Sequence, residues 1–287
     1  MKSSTSGWIN GLIGVVIFAG SLPATRAAVQ DFNPLFLTTA RATIAAIAGA
    51  ILLLLLKQPK PQSADFKSLL ITSFGVVVGF PLCTALALQY VTSAHSIVFI
   101  GLLPLCTAIF AVLRAGERPR TAFWLFAILG SSFVVGYTAI GKMEGSLEGN
   151  LFMLSAVVMC GLGYAEGANL SRKLGGWQVI SWALLMALPV MLPIALLMMP
   201  SSFNHVTTSG WIGFLYVSLF SMLIGFVFWY RGLAQGGIAA VGQLQLIQPF
   251  MGLAISSILL HETVSWQMIV MTLGAVTCVA GAKKYAT

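Results

Sequence analysis

Charge is what this sequence has least of. Only 8% of its 287 residues are charged, and the acidic share is seven residues against fifteen Lys and Arg. A soluble domain carries about 25% charged residues, and its surface needs roughly that many to stay hydrated. The scarcity excludes a soluble enzyme, a nucleic-acid reader and a disordered chain. Histidine and cysteine are scarcer still, at three and four. Cys83, Cys106, Cys160 and Cys278 lie inside apolar stretches with no paired spacing, so they read as small buried hydrophobes and not as a disulfide framework or metal knuckle. His95, His205 and His261 all map near the same surface, and no second carboxylate accompanies Glu166, the one acid well inside an apolar run. That leaves no converging nucleophile and base. Gly136 to Lys142 imitates the start of a phosphate-binding loop, but Met143 stands where Ser or Thr is required and no strand precedes it. No ATPase and no cofactor are implied.

What is abundant is apolar surface: 58% hydrophobic residues and a mean hydropathy of +0.95. A helix needs about 20 apolar residues to cross about 30 Å of hydrocarbon. Ten runs qualify, at about 8–29, 34–56, 68–90, 94–114, 121–141, 149–171, 177–199, 210–234, 237–260 and 265–283. Their connections are short and hold the breakers, among them Asn33-Pro34, Pro59 to Pro61 and Gly236-Gly237. The chain reads as one all-α integral membrane domain, 1–287, with no soluble portion. The first run is longer than the core of a signal peptide, and losing it would spoil the repeat described next, so it is kept as a membrane helix. With the N-terminus in the cytoplasm, twelve basic residues from Lys2 to Lys284 fall inside and only Lys142 outside, while Arg26 and Arg41 lie within helices. This asymmetry predicts a multi-pass protein of the cell inner membrane with both termini cytoplasmic.

A shift of 145 residues superimposes Pro104 on Pro249, Glu117 on Glu262, Gly136 on Gly281 and Ala94 on Ala239. In each half a proline precedes, by 13 residues, a glutamate at a helix end. Five helices per half is an odd number, so the halves, 8–141 and 149–283, are expected to be inverted repeats. Such repeats build secondary transporters around a midplane site.

The order and spacing of short motifs now carry a resemblance. Asn33-Pro34-Leu35 opens helix 2, with Arg41 seven residues beyond the proline. Ala94 precedes a helix containing Leu103-Pro104, and Gly116-Glu117-Arg118-Pro119 ends it. The second half has Gln248-Pro249, then His261-Glu262-Thr263. This pattern resembles the drug/metabolite transporter superfamily, EamA type, over nearly the whole chain; Gly176-Trp177 departs from it where a second Asn-Pro is expected. The resemblance implies export of amino acids or similar small metabolites through a central cavity. It also implies that helices 3, 4, 8 and 9 line that cavity, with contributions from 1, 2, 6 and 7.

Ionisable groups within a membrane are costly and mark a cavity or a partner. Arg26, in the outer part of helix 1, and Arg41, about two turns into helix 2, are candidates for an anionic substrate group. Arg26 could equally snorkel to the headgroups, and Arg41 could hold carbonyls at a neighbouring helix end. Glu166 is the candidate for proton coupling, with a structural ion pair to Arg172 or Lys173 the alternative. Glu117 and Glu262 read as hydrogen-bond acceptors at loop ends.

Helix 9 carries Gln243, Gln245 and Gln248 before Pro249, with Gln245 and Gln248 about 60° apart on the helix. The amides face either the cavity or another helix, and the coinciding proline favours the cavity. Pro104 and Pro249 are the expected hinges. Tyr164, Trp182 and Tyr230 are candidate stacking groups, while Trp229, just before Arg231, reads as part of the interfacial belt. His95 reads as a pH-sensitive gate or as a solvated surface histidine. The Gly75/Gly79, Gly163/Gly167 and Gly232/Gly236 pairs permit close helix packing.

Together these readings predict a monomeric carrier in the lipid bilayer that takes a small-molecule substrate and no nucleic acid. Its alternatives are an intramembrane enzyme, a membrane scaffold, or an exporter of drugs and organic cations instead of amino acids.

Overall fold

In hydrocarbon a chain must satisfy its amides within itself, and helix is the simplest way to do so. The computed structural model describes residues 5–140, 146–261, 263–283 and 285, and these hold helices and no strand. Lys2, Lys142, Met143, Glu262 and Lys284 lie outside the described residues.

The helices are α1 (Thr5–Val29), α2 (Pro34–Leu55), α3 (Ser63–Tyr90), α4 (Ser93–Ala115) and α5 (Thr121–Ile140). After them come α6 (Leu147–Leu174), α7 (Gly176–Leu197), α8 (Thr208–Gly236), α9 (Ile238–Leu259) and α10 (Trp266–Lys283). Each coincides with one expected run. Eight are long and apolar enough to span a membrane; within α5 and α10 the apolar stretches are shorter, Thr121–Gly130 and Trp266–Cys278.

Local chemistry sets the ends. The Asn33 side chain accepts from the Leu35 and Phe36 amides, and Pro34 occupies the first turn of α2. Thr92, Ser146 and Thr207 cap α4, α6 and α8 in the same way. Gly175 and Gly237, at φ 93° and 91°, turn α6 directly into α7 and α8 into α9, a conformation glycine adopts without strain. No side chain caps α7, which begins where the second Asn-Pro is missing.

The helices pack through close backbone approach. α1 lies antiparallel to α8: Thr5–Ala19 packs on Gly225–Gly236, and Ser21–Val29 on Thr208–Leu215. A Cβ on Gly232 would sit 2.6 Å from the Gly11 amide nitrogen, so the two backbones touch. α3 lies antiparallel to α6, linked by the pairs Asp65–Lys173, Ser68–Glu166 and Tyr90–Phe152 from one end to the other. α2 packs on α7, α5 on α10, and α4 on both α6 and α9. If each helix exchanges with the one five places away, α1–α8 becomes α6–α3 and α4–α6 becomes α9–α1, another pair in contact. α2–α7, α4–α9 and α5–α10 map onto themselves.

Candidate functional site

Five helices depart from regular geometry at mid-span. α1 breaks at Gly20. α3 and α8 carry π-helical turns at Ser73–Gly79 and Tyr216–Ile224. α4 is interrupted at Gly101-Leu102, and α9 tightens into a 3-10 stretch, Gln243–Leu246. Pro104 and Pro249 each stand in the first turn after their interruption, so the expected hinges are the starts of second half-helices. Such breaks survive in a membrane only where they are buried in protein or face a cavity.

These irregular segments surround one central space. It is lined by Phe18, Ser21 and Leu22 of α1, Arg41 of α2, and Val76, Phe80 and Pro81 of α3. Leu103 of α4, Tyr164 of α6, Ser221, Met222 and Phe226 of α8 and Gln248 of α9 complete it. Its volume is about 20 Å³, room for about one water. The expected polar chamber is therefore shut, because these side chains meet across it, and α7 contributes no wall. A larger pocket of about 450 Å³ lies on the opposite face of Ser21–Val29, between α1, α8 and α9. Its lining is apolar apart from Ser209 and Tyr216, whose hydroxyl is held by the Ile17 carbonyl at 2.6 Å.

Arg41 dominates the centre. It is 3% exposed, its Nη2 donates to the Ser221 hydroxyl at 3.4 Å, and its Nε has no partner. No carboxylate pairs with it among the described residues. Ser221 shares a 2.8 Å hydrogen bond with Ser21, which ties the break in α1 to the π turn of α8 under the guanidinium. Gln248 donates to the Phe18 carbonyl at 3.3 Å and leaves its own buried oxygen unpartnered. A buried arginine without a counter-charge costs several kcal/mol unless something anionic neutralises it. The arrangement therefore suits a carboxylate or phosphate.

The structure brings Arg41, Tyr164 and Gln248 together and places the other candidates elsewhere. Arg26 does not snorkel; its Nη1 donates to the Leu88 carbonyl at the end of α3. Gln243 bonds back to the Ala239 carbonyl in its own helix, and Gln245 is fully buried next to Tyr164, behind the wall of the central space. Tyr230 donates to the Gly163 carbonyl at 3.0 Å, joining α8 to α6 instead of facing the cavity. Trp182 is half-buried against the core beside α7's neighbours.

Trp229 is no belt residue. The glycine face of α1 opens a slot in which its ring is fully buried, 5.5 Å from the Tyr164 ring between centroids. His95 is likewise not solvated: α4 packs on α6, and its ring meets the Asn150 side chain at 2.8 Å. Cys160 and Cys278 are buried as expected, whereas Cys83 and Cys106 are half-buried.

Glu166 pairs with neither Arg172 nor Lys173. Arg114 Nε donates to it at 2.6 Å and Ser68 at 2.5 Å, because α3 and α4 flank this end of α6. Lys173 instead bonds Asp65 at 2.7 Å. Arg172 reaches Glu117, whose two oxygens also accept the Ile238 and Ala239 amides at 3.1 and 2.9 Å. The carboxylate after α4 thus caps the start of α9, as N-terminal amides favour. Together these bonds lace one end of the bundle shut across α3, α4, α6 and α9. Ser21, Ser221, Ser68 and Arg114 were invisible as site residues in the sequence, since small hydroxyls and terminal arginines are common throughout it.

Comparison with known proteins agrees with this geometry. The EamA-like transporter family matches the chain twice, over residues 5–138 and 147–282. The chain belongs to that family. As an EamA-like transporter it is a multi-pass membrane protein. It is 59% identical, over 286 residues and the full length of both chains, to the uncharacterized transporter YdeK of Bacillus subtilis (strain 168). It is 23% identical to a probable terminal-alkyne amino-acid exporter of Streptantibioticus cattleyicolor, over 87% of this chain and 84% of that one. A solved structure described as "Crystal structure of protein" has the same fold at 18% identity, with a TM-score of 0.73 and cover of 98% and 99% of the two chains.

Proposed function

We propose that this EamA-like transporter is a secondary carrier that exports a small carboxylate-bearing metabolite by alternating access between two inverted five-helix halves. The observation that carries the reading is Arg41: a buried cation with no carboxylate partner among the described residues, lining the space where the broken helices converge. Inversion is supported by helix directions. α3 follows the sense of α1 through two reversals, and α6 runs antiparallel to α3, so the second half begins in the opposite sense. The matched interruptions of α4 and α9, and the matched π turns of α3 and α8, support a repeat of ten spans. The basic residues near one end favour cytoplasmic termini in the inner membrane.

A space of about 20 Å³ admits no metabolite, so loading requires the central segments to part. The lacing at the Glu117 and Glu166 end is the bond set that such opening breaks on one side. Since Glu166 belongs to that lacing, it is the candidate coupling residue.

The test is efflux of labelled neutral amino acids and organic acids from proteoliposomes holding the full chain. Arg41→Ala is expected to abolish flux and Arg41→Lys to retain part of it. Absence of flux for every solute, or an unchanged rate in Arg41→Ala at equal incorporation, overturns the reading.

A further inference from the structure

Among the described residues the central space offers a full counter-charge for an anion and none for a cation. Arg41 is its single ionised lining residue. The described acids are all committed elsewhere. Asp31 bonds Thr207, Asp65 bonds Lys173, Glu117 caps α9, Glu166 holds Arg114, and Glu148 is exposed in the first turn of α6. An ammonium presents three donors and loses its water on entering such a site. The hydroxyls of Ser21 and Ser221 are engaged with each other, and Ser221 also accepts from Arg41. The Gln248 Oε1 is a buried acceptor without a partner. One amide oxygen suits one neutral donor, such as a hydroxyl next to a carboxylate. It leaves two ammonium protons unmet, beside a guanidinium of like charge.

The rest of the wall is apolar. Phe18 and Phe226 meet edge to face at 5.0 Å between centroids, and Tyr164 stands 5.9 Å from Phe226.

We infer that the solute carried at Arg41 is an organic monocarboxylate with an apolar or aromatic body, preferred with a neutral hydroxyl beside the carboxylate and disfavoured with a free amino group. The inference rests on the transporter reading above and narrows its substrate class. Arg41 takes the carboxylate, Gln248 accepts from the hydroxyl, and the aromatic wall receives the body.

Four labelled probes with one phenyl body separate the terms: 3-phenyllactate, 3-phenylpropionate, phenylalanine and phenethylamine. Each is measured at neutral pH in proteoliposomes of the full chain, with the leak of protein-free vesicles subtracted. Phenyllactate is expected to exceed phenylalanine by at least about tenfold, because an unmet buried charge is rejected on that scale. Phenethylamine stays at background. Gln248→Leu narrows the phenyllactate-to-phenylpropionate ratio by about fivefold, the worth of one hydrogen bond. Arg41→Gln removes flux of both acids. Should that variant fail to insert, inhibition of wild-type flux by unlabelled phenyllactate against unlabelled phenylalanine gives the same ranking. Phenylalanine carried as fast as phenyllactate, or phenethylamine carried above background, overturns the inference and leaves the carrier reading standing. Failure of every probe, with neutral amino acids also unmoved, overturns both.

Discussion

Removing Arg114 and removing Glu166 should differ in cost, although the two residues share one ion pair. The Glu166 side chain is 4% exposed and that of Arg114 is 34% exposed, at 2.6 Å. Arg114→Ala strands a buried carboxylate with Ser68 as its remaining partner. Breaking a buried pair costs about 3–5 kcal/mol, and the partial hydration of Arg114 puts this case near about 3 kcal/mol. Glu166→Gln leaves an arginine that can turn to water and an amide that keeps the contact with Ser68, so its cost is about 1 kcal/mol. The double variant should then lie near Glu166→Gln alone, a coupling of roughly 3 kcal/mol. Thermal denaturation of the purified chain in one detergent reads the order. At about 2–3 °C per kcal/mol, Arg114→Ala falls by about 6–9 °C and Glu166→Gln by about 2–3 °C. Equal shifts, or a double variant that simply adds the two, would refute the assignment of Glu166 as the buried partner.

Other perturbations follow from the same geometry. Glu117→Ala uncaps α9 and should cost about 2 kcal/mol, with faster hydrogen exchange at the Ile238 and Ala239 amides by mass spectrometry. A Cβ on Gly163 would stand 3.1 Å from the Val76 nitrogen and 3.2 Å from the Gly75 Cα, so Gly163→Val wedges α3 from α6. A loss of about 3 kcal/mol is expected, seen as a collapsed monodisperse peak in size-exclusion chromatography. Tyr230→Phe gives up one buried hydrogen bond to the Gly163 carbonyl and should lower the melting point by about 1 kcal/mol equivalent. Ser221→Ala frees Arg41 from its one hydroxyl partner and should raise the KM for transported acids by about threefold to tenfold at unchanged expression.

Much of this was legible in the chain because hydrocarbon imposes its rule one helix at a time. Among the described residues eight of the ten apolar runs became helices long enough to span a membrane, and the breaks of α4 and α9 were announced by Pro104 and Pro249. The π turns of α3 and α8 were not announced, since no residue type demands an extra residue per turn; packing against neighbours selects it. Ser21 and Ser221 were hidden for a related reason. Membrane-helix hydroxyls ordinarily bond the carbonyl one turn back, as Thr25, Thr43 and Ser218 do here. Nothing local distinguishes the two serines that instead meet across helices. Trp229 misled because a tryptophan followed by Arg231 is the usual mark of a membrane surface, and the slot that receives it is made by glycines more than 200 positions earlier. Arg41 stood out in the sequence because a lone arginine deep in an apolar run can be excused by few other roles, and the structure buries it at the central space.

The 3-10 stretch Gln243–Leu246 has one more implication. A 3-10 turn rises about 2.0 Å per residue against about 1.5 Å for an α-turn, so rewinding these four residues would draw the ends of α9 together by about 2 Å. Every amide would exchange one carbonyl for the next along the same strand of backbone, and none would be left bare to lipid. α9 thus holds an axial stroke in reserve, a piston length stored in winding number and not in any loop. Its N-terminal end is fastened by Glu117, so the travel would emerge at the far end, beside Ser256 and its bond to Ser93.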